Sequence, residues 1–302
     1  MREPPGWVRR GPVAVVVWAL LYGALRVLWA VSDPPDRMSP IGRDLLLDGW
    51  WAVLLCGAAA VLAVAMQVPA STAVRRLLLA GAGVTAAALA MSSALLLLDV
   101  VGGLLPGLGV EFFALGAASR AACLTGAVLL AGVAVTYSRR GREACLRCGR
   151  VAGRVRSRAT PAWAWWGAYA AVAGCLLRIV AQYALFDDGM VFEVGPALVA
   201  FEVGFLLAGV ALPLALVHGW GRRVGRWLLI VPGVALSAGL VAYFGFGTIQ
   251  LTVETIRGAE QEWSMAFMWV AIPSYLVWGL GMGAAALAYF ASTQPPCRRC
   301  GA

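Results

Sequence analysis

Lysine is missing from the 302 residues, histidine occurs once, and charged side chains make up only 13% of the chain. With no lysine, all 24 basic side chains are arginine; together with heavy alanine, glycine and valine usage this reflects a GC-rich coding bias and carries no functional content. The single histidine, His218, rules out paired-histidine haem ligation within one chain. There is no Walker loop, no Gly-x-Ser-x-Gly nucleophile elbow and no His-Glu-x-x-His helix. Neither haem nor nucleotide is expected, and no motif identifies an enzyme. Paired carboxylates inside apolar segments are also missing, which weakens proton-coupled pumping as a role.

The shortage of charge excludes water as the main solvent. Soluble domains carry roughly 25% charged residues, whereas this chain is 61% hydrophobic with a mean hydropathy of +0.81. Apolar runs lie at about Pro12 to Val31, Leu45 to Met66, Leu77 to Leu98, Phe112 to Tyr137, Ala162 to Leu185, Pro196 to Val217, Trp227 to Gly247 and Met265 to Phe290. Each is close to the roughly 20 residues that cross a bilayer. The expected fold is therefore an all-α integral membrane protein of about eight transmembrane helices.

Threading these spans alternately places 18 arginines on one side with only Glu3 and Glu143. The opposite loops hold Arg37, Arg43 and Arg257 but twelve acids, among them Asp33, Asp36, Asp99, Glu111, Asp187, Asp188, Glu254 and Glu262. By the positive-inside rule the arginine side is cytoplasmic, so both chain ends are expected in the cytoplasm of a multi-pass plasma-membrane protein. The net charge of +9 is then explained by topology, with no nucleic-acid partner. The first run, preceded by Arg9 and Arg10, has features of a signal peptide; it is expected to be retained, because it is long, contains Arg26 and has a counterpart in the fifth span.

That counterpart belongs to an internal repeat. Leu25-Arg26 matches Leu177-Arg178 at an offset of 152, Gly57 matches Gly209 at the same offset, and Arg76-Leu77-Leu78-Leu79 resembles Arg226-Trp227-Leu228-Leu229 at 150. Tyr137 with Cys145, Cys148 and Gly149 matches Tyr289 with Cys297, Cys300 and Gly301. Two tandem four-helix repeats of parallel orientation are expected, at 1–137 and 161–290, joined by an Arg-rich cytoplasmic linker at 138–160 and followed by a cytoplasmic tail at 291–302. The linker arginines set topology and offer a secondary contact for anionic lipid headgroups.

The most specific local signals are Cys145-Leu146-Arg147-Cys148-Gly149 and Cys297-Arg298-Arg299-Cys300-Gly301. A Cys-x-x-Cys turn aims two thiolates at one metal, and two turns supply a tetrahedral zinc site with Cys145, Cys148, Cys297 and Cys300 as ligands. Arg147, Arg298 and Arg299 offset the charge of such a centre and favour thiolates. The same dithiols are also compatible with a membrane thiol-disulfide oxidoreductase, or with unliganded turns inherited by duplication. Cys56, Cys123 and Cys175 fall inside apolar spans, as small packing residues do.

Arg26, Arg120, Arg178 and Glu202 interrupt apolar spans near their outer ends. They define a candidate outward-facing anion pocket for a small anionic ligand, with Arg26 and Arg178 as symmetry-related clamps, Glu202 as counter-ion and Arg120 at the rim. The plain alternative is snorkelling or structural pairing with Glu202, Asp48 and Asp99. Trp50, Trp51, Trp163, Trp165, Trp166, Trp263 and Trp269 cluster near span ends as an aromatic belt, and Gly279-x-Gly281-x-Gly283 suits close helix packing.

The cysteine turns resemble zinc-ribbon knuckles, over about ten residues and with a far larger separation between them than a ribbon has; that resemblance implies metal binding and no activity. With its Arg-only basic loops, the Gly103 to Gly107 segment Gly-Leu-Leu-Pro-Gly and the Cys-Leu-Arg-Cys-Gly after the fourth span, the chain as a whole resembles uncharacterised multi-pass membrane proteins of actinobacteria. That group implies a location only. A transporter-like or scaffold role with a zinc site joining the two repeats is the reading these residues favour.

Overall fold

The structure, a computed structural model, describes residues 6–32, 35, 38–39, 49–105, 108, 110–146, 148–149, 159–185, 195–258, 264–294 and 297. Ten α-helices occupy most of them: α1 Gly6–Val31, α2 Trp50–Ala65, α3 Thr72–Ser92, α4 Leu96–Leu104, α5 Ala114–Arg140, α6 Ala162–Leu185, α7 Pro196–Leu206, α8 Leu212–Val217, α9 Arg226–Arg257 and α10 Met265–Ser292. No strand occurs among the described residues.

Among the described residues, seven helical segments are long and apolar enough to cross a membrane: Arg10–Val31, Thr72–Leu104, Ala114–Arg140, Ala162–Leu185, Pro196–Val217, Arg226–Arg257 and Met265–Ser292. The expected span from Leu45 appears as the 16 residues of α2, which rise about 24 Å at 1.5 Å per residue; residues 45–48 lie outside the described ones. The expected third span continues past a turn into α4, giving one segment of 33 residues. Val101 to Leu104, beyond the expected end of that span at Leu98, are thus helical. Side chains turned outward fit lipid rather than water: Leu77 and Leu228 are each 72% exposed and Trp166 is 78% exposed, patches that water would penalise and a bilayer accepts.

Helix ends and breaks follow local chemistry. Ser71 caps α3, its hydroxyl accepting from the Val74 N–H at 3.5 Å. Pro196 opens α7, where its missing N–H costs nothing. Gly258 ends α9 in the left-handed region at φ 67°. Between α7 and α8 a π turn spans Leu207–Ala211, just before Pro213. Proline removes the N–H that would reach Gly209 and crowds its carbonyl, so the widened turn absorbs the misfit. Pro232 and Pro273, by contrast, sit inside uninterrupted helices.

The chain divides into two compact units: Met1–Leu96 with Phe113–Val155 and Pro295–Ala302, and Leu97–Phe112 with Arg156–Gln294. In the first unit α1 packs on α2, α2 on α3, α3 on α5 and α5 back on α1, with α2 also meeting α5. Its core is anchored by Trp18, whose indole N–H donates to the Ala122 carbonyl at 2.8 Å and whose ring occupies the space left by Gly126. One turn on, Tyr22 shares hydrogen bonds with Ser119 at 2.8 Å and Cys123 at 3.2 Å, so the polar atoms of this buried layer are partnered.

In the second unit α6 packs on α8, α8 on α9, α9 on α10 and α10 on α6, with α8 also meeting α10. Trp278 is 2% exposed and lies against Gly174 and Gly209. The glycine triplet on α10 serves two neighbours: Gly281 faces the backbone of α6 at Gly167 and Ala171, while Gly279 and Gly283 face α9. Ser237 Oγ donates to the Gly279 carbonyl at 2.8 Å across that second seam. Lipid tails are as apolar as leucine, so these small residues hold helices together by close contact.

The substitution Gly281→Ala places a methyl group against the Gly167 carbonyl. It is expected to lower the thermal midpoint of the detergent-solubilised protein by an amount equivalent to about 1–3 kcal/mol, whereas Gly57→Ala, whose added carbon meets nothing within 4 Å, leaves it unchanged.

Candidate metal centre and ligand pocket

The sulfur cluster is built at the end of α5. The helix closes on Gly141, whose N–H reaches the Tyr137 carbonyl at 3.2 Å, and Arg75 of α3 braces the exit by donating to the Gly141 carbonyl at 2.8 Å. The chain turns back through Glu143, and the Ala144 N–H bonds the Arg139 carbonyl at 3.0 Å. Cys145 to Gly149 then forms a knuckle in which the Gly149 N–H donates to the Cys145 carbonyl at 2.7 Å. Gly149 has φ 72°, the region a residue with a Cβ adopts only at a cost. Arg139 reaches forward over the knuckle, donating to the Leu146 carbonyl at 2.9 Å.

Cys297, from the tail, enters the same unit and is buried, while Cys145 and Cys148 are half-buried. Cys145 Sγ and Cys297 Sγ are 3.9 Å apart, and the three sulfurs lie within 4.8 Å of one another. In a tetrahedral tetrathiolate with metal–sulfur bonds of about 2.3 Å, the sulfurs stand about 3.8 Å apart; a disulfide holds them at about 2.05 Å. The Cys145–Cys297 separation is close to the edge of such a tetrahedron and far longer than a disulfide. Cys145, Cys148 and Cys297 can hold a metal ion; Cys300, Arg147, Arg298 and Arg299 lie outside the described residues.

Arg26 and Arg120 belong to the first unit, Arg178 and Glu202 to the second. Arg26 is 7% exposed, with its guanidinium 5.5 Å from the Trp29 ring centre. Arg120 is 1% exposed and donates from Nη2 to the Met38 carbonyl at 3.2 Å.

Arg178 and Glu202 come together on the wall of one cavity of about 200 Å³, between α6, α7 and α10. Arg178 Nη2 donates to Gln182 Oε1 at 2.8 Å. Its guanidinium lies over the rings of Phe267 at 5.1 Å and Tyr275 at 5.3 Å, while its Nε is buried without an acceptor. Tyr183 donates its hydroxyl to Glu202 at 3.1 Å. The sequence reading missed Gln182 and Tyr183, although the first is one helical turn beyond Arg178. It also missed Tyr275, which carries no local signal because a phenol inside an apolar helix reads as packing.

Replacing Gly149 by valine forces a β-branched residue into the left-handed region and presses its Cβ against the Arg139 guanidinium, whose Nε stands 3.0 Å from that position. Labelling of Cys145 and Cys148 by a thiol reagent is expected to accelerate several-fold in Gly149→Val, with thermal unfolding of the helices little changed. No family model, curated protein or solved structure matches this chain, so the chemistry of the site rests on its own sulfurs and charges.

Proposed function

We propose that the chain is a duplicated plasma-membrane protein whose two parallel four-helix repeats, 1–137 and 161–290, are tied together on the cytoplasmic face by a zinc tetrathiolate of Cys145, Cys148, Cys297 and Cys300. In this reading the role is transporter-like: the second repeat presents a ligand pocket around Arg178 and Glu202 toward the outer side. Arg26 is the repeat counterpart of Arg178 in the first repeat, and Arg120 is a further buried charge there.

The observation that carries the zinc assignment is the 3.9 Å approach of thiols 152 positions apart in sequence. A dithiol that cycles with its own disulfide needs two sulfurs, and a third brought beside them by a separate segment suits a metal. The duplication is supported by packing order as well as by sequence. In each unit four successive apolar helical segments contact one another in a ring, with the same diagonal contact of the second against the fourth. The arginine-rich linker and tail place the sulfurs on the cytoplasmic side by the positive-inside rule, and the same arginines suit anionic lipid headgroups.

Metal analysis of the detergent-purified protein is expected to find about one zinc per chain, lost in Cys148→Ser and in Cys297→Ser. Absence of zinc together with ready Cys145–Cys148 disulfide cycling would instead establish the oxidoreductase. Membrane-impermeant thiol labels are expected to reach Cys145 in inverted vesicles and not in intact cells.

A further inference from the structure

We infer that the cavity between α6, α7 and α10 binds a small zwitterion, its anionic end on Arg178 and its ammonium end beside Glu202. The inference deepens the ligand pocket proposed above and rests on it. Both charged residues line the same space of about 200 Å³. No ion pair joins them: Arg178 turns its Nη2 to Gln182 and Glu202 accepts from Tyr183. The buried Arg178 Nε has no hydrogen-bond partner among the described residues.

An anion entering alone would meet the like charge of Glu202, and a cation alone would meet Arg178. Among the described lining residues the cavity carries one charge of each sign, not spent on each other. In a segment bordered by hydrocarbon each charge is costly until it is compensated. A ligand carrying both charges compensates both and stays neutral itself.

The rest of the lining agrees with this polarity. The Gln182 oxygen is occupied by Arg178, which leaves its amide N–H groups as donors for a carboxylate or phosphate. Tyr183 and Phe201 stand with Glu202 around the cavity, and aromatic faces attract ammonium groups. A space of about 200 Å³ suits a ligand the size of an amino acid or a betaine. The same chemistry occurs in a zwitterionic lipid headgroup.

The test is calorimetric titration of the full chain in detergent with glycine betaine, glycine, acetate and tetramethylammonium. Glycine betaine or glycine is expected to bind at least tenfold more tightly than either singly charged probe. Glu202→Gln and Arg178→Gln are each expected to weaken zwitterion binding at least tenfold, and Arg178→Lys, which keeps the charge, to weaken it less. Acetate binding as tightly as the zwitterions, and more tightly still in Glu202→Gln, would overturn the inference while leaving an anion pocket in place. Failure of every probe to bind would remove both readings, provided titrations in phosphatidylglycerol nanodiscs agree. Zwitterion binding present in those nanodiscs but displaced in phosphatidylethanolamine nanodiscs would support the inference with a lipid headgroup as the occupant; equal binding in both would support it with a free solute.

Discussion

Hydrocarbon as the solvent is the constraint from which the rest of this structure follows. With no water to satisfy backbone groups, each segment must close its hydrogen bonds internally, which leaves helices as the element the described chain uses throughout. The hydrophobic effect then gives helices little reason to associate, since a leucine is as well solvated by lipid as by a neighbour. What remains is contact. The small residues Gly167, Ala171, Gly174 and Gly281 let α6 and α10 approach closely, and Trp278 lies against Gly174 and against Gly209 of the π turn. In the first unit Trp18 over Gly126 plays the same part with the large residue on the earlier helix.

Against that background, polar groups in the spans stand out by how they are satisfied. Tyr22 is enclosed by Ser119 and Cys123, and Ser237 ties α9 to a carbonyl of α10. These are completed local arrangements. Arg178 differs, because its face is covered by rings and one N–H has no acceptor. The same distinction separates the cysteines. Cys56, Cys123 and Cys175 lie in apolar cores, whereas Cys145, Cys148 and Cys297 converge where the helices end.

Much of this was legible in the sequence because membrane spans are long, apolar and insensitive to tertiary detail. The runs from Ala162 to Leu185 and from Pro196 to Val217 coincide with helical segments in the structure. The third span was less legible, because α4 prolongs it through Gly102 and Gly103, residues that favour a break in an apolar run. The sulfur turns were visible because Cys-x-x-Cys-Gly is a compact motif whose chemistry is local. The surroundings of Arg178 were not, since its neighbours come from α7 and α10, and periodicity says nothing about which face of one helix meets which face of another. The π turn was hidden for a related reason: Pro213 announces a disturbance, but only packing decides whether it becomes a kink or an added residue in the turn.

The knuckle at Cys145 and the sulfur at Cys297 are separated by nearly the whole second half of the protein. Cys145 and Cys148 emerge from the ribosome well before Cys297, with four long apolar helical segments made in between. Only when translation has passed Cys297 can the third sulfur arrive. A chain interrupted before Cys297 therefore carries the Cys145 knuckle without its third sulfur.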